Sequence, residues 1–202
     1  MKTGLKTVFH FLIDNELVNH AYREIAEKTG VALGNVKYVM DGLKQNGYLV
    51  KLDKKRFKLI NKKDLLDKWI DGYAVRLKPT LIIDRFRFLD ENDFQNWKNI
   101  KLKTGATVWG GDPGGDILTN YLKPGELIMY TGETRKELMM NYRLIPDQEG
   151  NVIAYKKFWK EEDKNLNVAP PLLVYVDLMI NGDRRSMETA QKIYNEHIED
   201  NF

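Results

Sequence analysis

The sequence contains no cysteine among its 202 residues and only three histidines. Disulfide bonds and thiolate metal sites are therefore excluded, which fits a reducing cytoplasm. His10, His20 and His197 are scattered along the chain without metal-ligand spacing, and no arrangement of nucleophile, histidine and acid can be argued from them. We therefore expect no bound metal and no cofactor.

Long hydrophobic runs are also absent. The N-terminus lacks an apolar run of the signal-peptide type, and no stretch approaches the length of a membrane-spanning helix. Hydrophobic residues nevertheless make up 43% of the chain and aromatic residues 11%, which is enough to build a folded core. The sequence shows neither internal repeats nor low-complexity tracts. These features predict a soluble cytoplasmic protein with no membrane association.

The net charge of +3 conceals a division of charge along the chain. Residues 1–78 contain 16 Lys and Arg against 9 Asp and Glu, whereas residues 79–202 contain 16 against 20. A basic half joined to an acidic half is typical of a protein that binds nucleic acid through its basic half. Lysine-rich surfaces are common in soluble proteins, so this argument gains weight only where the charge is concentrated on particular elements.

The stretch 22–58 has the order helix, turn, helix, hairpin that is typical of a winged helix-turn-helix. A short helix, 22–28, is predicted to end near Gly30, because glycine enters the left-handed backbone region at little cost. A second helix, 33–45, follows after a tight turn and places its apolar residues on one face. Two short strands around a charged tip complete the pattern: 48–52 and 57–60.

The outward face of the second helix and the hairpin tip carry side chains suited to DNA. Asn35 could read adenine, and Lys37 and Lys44 could contact phosphates or guanine. Tyr38 could donate a hydrogen bond to a phosphate, and cations at the tip could enter the minor groove or grip the backbone beside it. The alternative that the winged helix is a non-catalytic adaptor for a protein partner stays open. The predicted DNA-binding residues are Asn35, Lys37, Tyr38, Lys44, Lys54, Lys55 and Arg56.

The whole chain is predicted to be an α+β protein with two domains. We assign 1–60 to a winged helix-turn-helix domain, 61–78 to a linking helix and 79–202 to a mixed α/β domain. Pro79 prevents the linking helix from continuing. In the second domain, an apolar run at 172–180 fits one face of a helix, although its periodicity does not exclude a strand.

A glycine-rich segment at 110–115, with the sequence GGDPGG, is the most enzyme-like feature of the second domain. It is predicted to be a loop between a short strand and a helix that begins near residue 116, which is the geometry of a phosphate cradle. It matches neither of the common phosphate-loop motifs, and its acidic residues would repel an anion. A tight turn that lets a helix pack close to the sheet is the simpler interpretation, and a binding loop for a partner or RNA is a third. The residues of this possible functional site are Gly110, Gly111, Asp112, Asp116 and Asp177.

The acidic residues near this segment also permit an enzymatic hypothesis. Asp112, Asp116 and Glu126 could be metal ligands of a nuclease-like phosphodiesterase that a winged helix targets to DNA. The strand that starts at Glu126 lacks a lysine two residues later, and Asp116 suits the first turn of a helix, where a carboxylate favours the dipole. We therefore predict that the protein is not an enzyme and keep this hypothesis as the alternative.

Asp177 lies within the apolar run at 172–180. A buried acid must be hydrogen-bonded or paired, so a basic partner is expected. Arg184 and Arg185 are the candidates, and the pair could be structural or part of a site.

Four segments have a characteristic order and spacing: LINKKDLLDKWIDGYAVRLKPTLIIDRFRF at 59–88, WGGDPGGDILTNYLKPGELIMYT at 109–131, YRLIPDQEGNVIAYKKFW at 142–159 and PPLLVYVDLMINGDRRSMETAQKIY at 170–194. Together they resemble the AbiEi-like family of transcriptional regulators, the antitoxins of type IV toxin–antitoxin (abortive-infection) systems. One departure is that Gly114-Gly115 follows the Gly-Gly-acid-Pro element, where small residues such as alanine are expected. Glycine is also small, although it makes the backbone more flexible. The similarity extends over nearly the whole chain.

The resemblance implies a winged-helix DNA-binding domain joined to an α/β antitoxin domain. It implies that the protein binds double-stranded DNA at the promoter of its own operon and represses transcription. It also implies a functionally linked toxin of nucleotidyltransferase type, whose effect is countered without a stable toxin–antitoxin complex. A repeated operator would suit either a homodimer or two cooperating monomers.

Overall fold

The structure, a computed structural model, describes residues 2–53, 56–160 and 167–202. The chain forms two compact units, and the first is not continuous in sequence. The first unit contains the described part of 1–80 together with Phe158–Lys160 and Asp200–Phe202. The second unit contains Leu81–Lys157 and the described part of 161–199.

The first unit is helical with one small antiparallel hairpin. A 3-10 turn, Asn15–Asn19, joins its first two helices, and a π-helical turn, Tyr73–Leu77, extends its last helix. The hairpin pairs Leu49 with Leu59 and Lys51 with Phe57. Its helices are α1 (Lys2–Ile13), α2 (Tyr22–Thr29), α3 (Leu33–Gln45) and α4 (Lys62–Gly72), and its strands are β1 (Leu49–Lys51) and β2 (Phe57–Leu59).

Local sequence determines where these helices end. Gly30 closes α2 in the left-handed conformation, with φ of 66°, and its N–H donates to the Ala26 carbonyl. Gly47, with φ of 73°, follows the end of α3 in the same conformation. The predicted end of α2 near Gly30 is confirmed, and α3 ends at Gln45 as its predicted bounds state. Glycine adopts this backbone region without a steric penalty.

An aromatic cluster forms the core of the first unit. The Phe9 ring stacks on Trp69 at 5.4 Å between centroids, and Trp69 stacks on Tyr73 at 4.9 Å. Phe158 and Trp159, which come from much later in the chain, add their rings to this cluster and are each 7% exposed. Aromatic side chains bury large apolar areas, so the first unit depends on residues outside its N-terminal sequence.

The second unit contains a mixed five-stranded sheet in the order β4-β5-β7-β3-β6. Strands β5 and β7 are parallel, and the other neighbouring pairs are antiparallel. Its elements are β3 (Ile82–Phe88), α5 (Asn92–Gln95), β4 (Thr107–Gly110), α6 (Gly111–Thr119), β5 (Leu127–Thr131), α7 (Arg135–Asn141), β6 (Leu144–Pro146), β7 (Val152–Lys156), α8 (Pro171–Asn181) and α9 (Arg184–Ile193).

Alternate residues of the sheet point to two different layers. Met129, Ala154 and Phe86 belong to a buried cluster that also contains Trp97 and Leu138. The helices α6, α8 and α9 pack against one another, and α6 also contacts β5. The predicted helix over 172–180 is confirmed as α8, whose apolar side chains are buried among these helices.

Several local predictions for the second unit are wrong. The sequence pattern predicts a turn at 146–150 and no strand before it, but β6 ends at Pro146; it also predicts a helix over 91–100, but α5 ends at Gln95. The final helix is regular only to Ile193 and continues as a π-helical turn, Tyr194–Ile198. Short elements of this kind are formed by tertiary pairing, which local periodicity does not report. Among the described residues, none of the helices combines the length and apolarity needed to cross a bilayer.

Candidate nucleic-acid interface

The helix α3 is amphipathic, and its burial determines which residues face outward. Val36 and Met40 are completely buried, and Val39 and Leu43 are nearly so. This 3-4 spacing fixes the opposite face as the exposed one. The predicted outward residues Lys37 and Tyr38 are exposed, whereas Asn35 is half-buried.

Tyr38 is the most exposed large side chain on α3, with 65% of its surface accessible. Its phenol can donate a hydrogen bond, and its ring offers an apolar surface to a partner. Lys37 lies beside it in sequence and is also exposed. The structure therefore presents a phenol and an ammonium group side by side on one helix.

Lys44 is held by neighbours of its own unit. Its ammonium group lies 3.7 Å from the Asp41 carboxylate and 4.8 Å from the centroid of the Phe57 ring. It thus connects the last turn of α3 to the first residue of β2. This differs from the prediction of a freely outward lysine, because the hairpin packs beside the end of the helix.

Arg56 lies at the end of the hairpin tip. Its backbone N–H donates to the Asp53 carboxylate at 2.9 Å, and its Nε donates to the same carboxylate at 2.7 Å. The side chain remains 71% exposed. Lys54 and Lys55, the other predicted tip residues, lie outside the described part of the chain.

Asn19 connects the hairpin to the turn between α1 and α2. Asparagine is a common N-cap residue, but Ala21, not Asn19, occupies the cap position of α2, and it makes no side-chain hydrogen bond there. Instead, the Asn19 Oδ1 atom accepts a hydrogen bond from the Phe57 backbone N–H at 2.7 Å. Its Nδ2 group donates to Glu16 at 3.1 Å. No sequence signal reports the bond to Phe57, because its partners are far apart along the chain.

The glycine-rich segment of the second unit is not a loop. The helix α6 begins at Gly111, directly after β4, and Asp112 and Pro113 lie in its first turn. Proline is tolerated there because the first N–H groups of a helix have no partner within it. The prediction of a loop leading into a helix near residue 116 is therefore wrong.

The glycines of this segment allow close packing. A Cβ atom on Gly110 would lie 2.5 Å from the Tyr130 ring, and one on Gly111 would lie 2.6 Å from Ile128. A Cβ on Gly114 would lie 2.8 Å from Val174 of α8. Real side chains do not tolerate such distances, so the segment allows α6 to approach β5 and α8. The predicted close packing of a helix against the sheet is thus favoured over a phosphate cradle, although the segment is part of the helix and not a turn.

The acidic residues near this segment have separate partners. Asp116 forms an ion pair with Lys98 at 2.6 Å, and Glu126 forms one with Arg85 at 2.8 Å. Asp112 accepts a hydrogen bond from the Gly125 N–H at 3.1 Å. Within the described part of the chain, no cluster of three or more His, Cys, Asp or Glu side chains could hold a metal ion. The alternative of a nuclease-like site on these three acids therefore has no geometric support.

Asp112 also has an unusual electrostatic environment. Burial raises the pKa of the Asp112 carboxyl above its ordinary range, and this outweighs the backbone hydrogen bond from Gly125, which lowers it. The negative charge of Asp183 raises the pKa further. These interactions destabilise the ionised carboxylate in the folded protein.

Asp177 is buried, at 3% exposed, and accepts hydrogen bonds from the Tyr130 hydroxyl at 2.8 and 3.0 Å. The structure thus gives this acid a tyrosine where an arginine was expected. Arg184 pairs instead with Glu188 at 2.9 Å, and the Arg185 backbone N–H donates to Asp183. Since Tyr130 also packs over Gly110, Asp177 belongs to the junction of β4, β5 and α8.

Comparison with known protein families gives a match that covers well over half of the chain. The family described as transcriptional regulator, AbiEi antitoxin, type IV TA system matches residues 58–199. The chain therefore belongs to this family of antitoxins that act as transcriptional regulators, as the resemblance in the sequence indicates. The match begins within the hairpin, so it leaves α1, α2 and α3 outside.

Neither the curated proteins nor the solved structures give a match to this chain.

Proposed function

We propose that the protein is a DNA-binding autorepressor and the antitoxin of a type IV toxin–antitoxin pair. In this proposal, the winged helix-turn-helix over 1–60 binds DNA, the helix over 61–78 belongs to the same unit, and the α/β domain within 79–202 is the antitoxin domain. The protein binds double-stranded DNA at its own promoter and counters a nucleotidyltransferase-like toxin without a stable complex. It acts as a regulator in the cytoplasm and carries no catalytic site of its own.

The observation that carries the DNA-binding part is the pairing of an exposed helix face with a basic hairpin in one unit. Tyr38 and Lys37 lie on the exposed face of α3, and Arg56 stands at the end of the hairpin tip. In winged helix-turn-helix proteins, the second helix of the motif enters the major groove. Cationic side chains beside it then contact phosphates or the minor groove.

The helix–turn–helix geometry supports the same assignment. The turn between α2 and α3 is three residues long, from Gly30 to Ala32, and it begins at a left-handed glycine. Ile25 of α2 and Val36 of α3 are both completely buried. A short glycine turn between two helices with a shared core is the arrangement expected of this motif.

Fluorescence anisotropy with DNA from directly upstream of the gene tests the proposal. We expect the wild-type protein to prefer this duplex over a scrambled duplex and to lose affinity steeply as salt rises. The double variant Lys37→Ala/Tyr38→Ala should bind the upstream duplex at least about tenfold more weakly, because it removes two contacts of the exposed face.

A matched control is Lys136→Ala, which removes an exposed lysine from α7 of the second unit. It should leave upstream binding unchanged. Equal binding to upstream and scrambled DNA would show non-specific binding by a basic surface and contradict promoter recognition. No binding at low salt would contradict the DNA claim and favour a protein-binding adaptor.

The antitoxin part is tested separately, in cells that express the toxin encoded beside this gene. Because the proposal assigns neutralisation to 79–202, the Lys37→Ala/Tyr38→Ala variant should still restore growth while it fails to repress its promoter. Loss of both activities in that variant, with the protein present at normal levels, would contradict the division of functions.

A further inference from the structure

The hairpin is too small to hold its own orientation. It has only three paired residues on each strand, and two-stranded hairpins of this size are marginally stable in water. Its base is anchored by Leu49 and Leu59, which are 4% and 3% exposed. The end next to the tip needs a separate anchor if Arg56 is to keep a defined position.

The outer edge of β2 provides the place for that anchor. Hydrogen bonds join Ile60 to Tyr48 and Leu52 to Arg56 across the hairpin. In an antiparallel ladder these pairs alternate with pairs that exchange no hydrogen bond, so the Phe57 N–H points away from β1. An outward N–H on an edge strand must find another acceptor or face water.

Asn19 supplies that acceptor. Its Oδ1 atom lies 2.7 Å from the Phe57 nitrogen, and its Nδ2 group donates to Glu16 at 3.1 Å. One partner offers only a donor and the other only an acceptor, so the orientation of the Asn19 amide is unambiguous.

The 3-10 turn that contains Asn19 is held in place by burial and by a side-chain cap. Asn19 is the last residue of the 3-10 turn, in which Leu17 and Val18 are 1% and 2% exposed. The Asp14 side chain caps this turn by accepting from the Glu16 N–H. On the other side of Phe57, the Lys44 ammonium group packs over its ring. Phe57 is therefore held between the α1–α2 connection and the end of α3.

We infer that Asn19 is a positioning residue for DNA binding, which holds the tip end of the hairpin at a defined angle to α3. This inference rests on the proposed function, because it assumes that the tip contacts DNA. Asn19 itself makes no contact with DNA in this account. It acts through Phe57 on the neighbouring Arg56, and it reduces the conformational freedom that Arg56 would lose on binding.

Hydrogen exchange without DNA tests the geometry first. In Asn19→Ala, the Phe57 amide should exchange about threefold to tenfold faster than in the wild-type protein, since one hydrogen bond is removed. The double variant Asn19→Asp/Glu16→Gln should restore protection, because the introduced aspartate keeps the acceptor and the introduced glutamine can donate to its second oxygen. An unchanged Phe57 rate in Asn19→Ala would overturn the inference whatever the DNA measurements show.

A double-mutant cycle on the upstream duplex tests the function. Asn19→Ala should weaken binding about threefold to tenfold in the wild-type background and leave it unchanged in the background Lys54→Ala/Lys55→Ala/Arg56→Ala. A positioning residue loses its effect once the groups that it positions are gone. Equal weakening in both backgrounds would show a general loss of folding and overturn the inference.

A control variant and the wild-type protein separate the remaining outcomes. Asn96→Ala removes a side-chain hydrogen bond to the Asn92 carbonyl in the second unit and should bind as the wild-type protein does. If the wild-type protein binds the upstream duplex and Asn19→Ala binds it with the same affinity, only the role of Asn19 is overturned. Absence of wild-type binding at low salt would overturn the proposed function, and the role of Asn19 in DNA binding with it.

Discussion

The ring of Phe158 packs against the ring of Phe9 with 5.0 Å between their centroids, although Phe9 lies in the first helix and Phe158 follows the last strand. Next to it, the Lys160 ammonium group donates a hydrogen bond to the Glu27 carbonyl in the last turn of α2, at 2.6 Å. The core of the first unit is thus completed by a segment that the sequence analysis assigns to the α/β domain, 79–202.

Phe158→Ala is expected to destabilise the first unit by about 3–5 kcal/mol, because it opens a cavity among buried aromatic rings. Hydrogen exchange should report this as faster exchange in α1, with less change in the strands of the second unit. The control Met140→Ala truncates a side chain that is 68% exposed and should change stability by less than about 0.5 kcal/mol. Undisturbed protection of α1 in Phe158→Ala would show that the segment is dispensable.

Gly114→Ala is expected to cost about 1–3 kcal/mol, because the added Cβ would lie 2.8 Å from Val174. Gly42→Ala, in α3, meets nothing within 4 Å and should instead stabilise by about 0.5–1 kcal/mol. Urea unfolding of both variants measures the difference. Adding Val174→Ala to Gly114→Ala should recover part of the lost stability, because the smaller side chain makes room for the new Cβ. A Gly114→Ala protein as stable as the wild type would contradict the close packing of α6.

The free energy of unfolding of Asp112→Asn is expected to exceed that of the wild-type protein by a growing margin as the pH rises from below about 4 towards neutrality. The folded pKa of Asp112 is raised by burial, so the unfolded carboxyl ionises first and the wild-type protein loses stability through that interval. Asparagine stays neutral and keeps an oxygen for the Gly125 N–H. Urea unfolding at several pH values measures the difference between the two proteins.

Glu137→Gln provides the control of opposite sign. The backbone and hydroxyl hydrogen bonds from Thr134 lower the pKa of Glu137, so its charge stabilises the fold above the unfolded pKa and this contribution is lost as the pH falls. The glutamine variant should therefore lose stability relative to the wild-type protein towards neutral pH. The same trend in both variants would contradict the opposite electrostatic environments.

Lys37→Ala is expected to reduce the slope of log affinity against log salt concentration by about one, since it removes one phosphate contact. The loss should be similar for the upstream and the scrambled duplex. Asn35→Ala should instead act mainly on the upstream duplex if its amide reads a base. Anisotropy titrations at several salt concentrations measure both effects, and an unchanged slope in Lys37→Ala would remove this lysine from the contact surface.

The sequence alone determined the order and the type of most of the elements. The ends of α2 and α3 follow from Gly30 and Gly47, and the buried face of α3 follows from its 3-4 apolar spacing, because both are properties of neighbouring residues. Family membership could also be read from the sequence, since motif order and spacing are preserved along the chain.

Only the tertiary structure decided which distant residues meet. It gave Asp177 a hydrogen bond from Tyr130, directed the side chain of Asn19 to Phe57, and placed Phe158 in the core of the first unit. The GGDPGG segment is helical from Gly111 although its local composition favours a loop, and its glycines allow α6 to lie close to β5 and α8. Such contacts join residues far apart in sequence, and their free energy comes from burial and hydrogen bonding that local patterns do not encode.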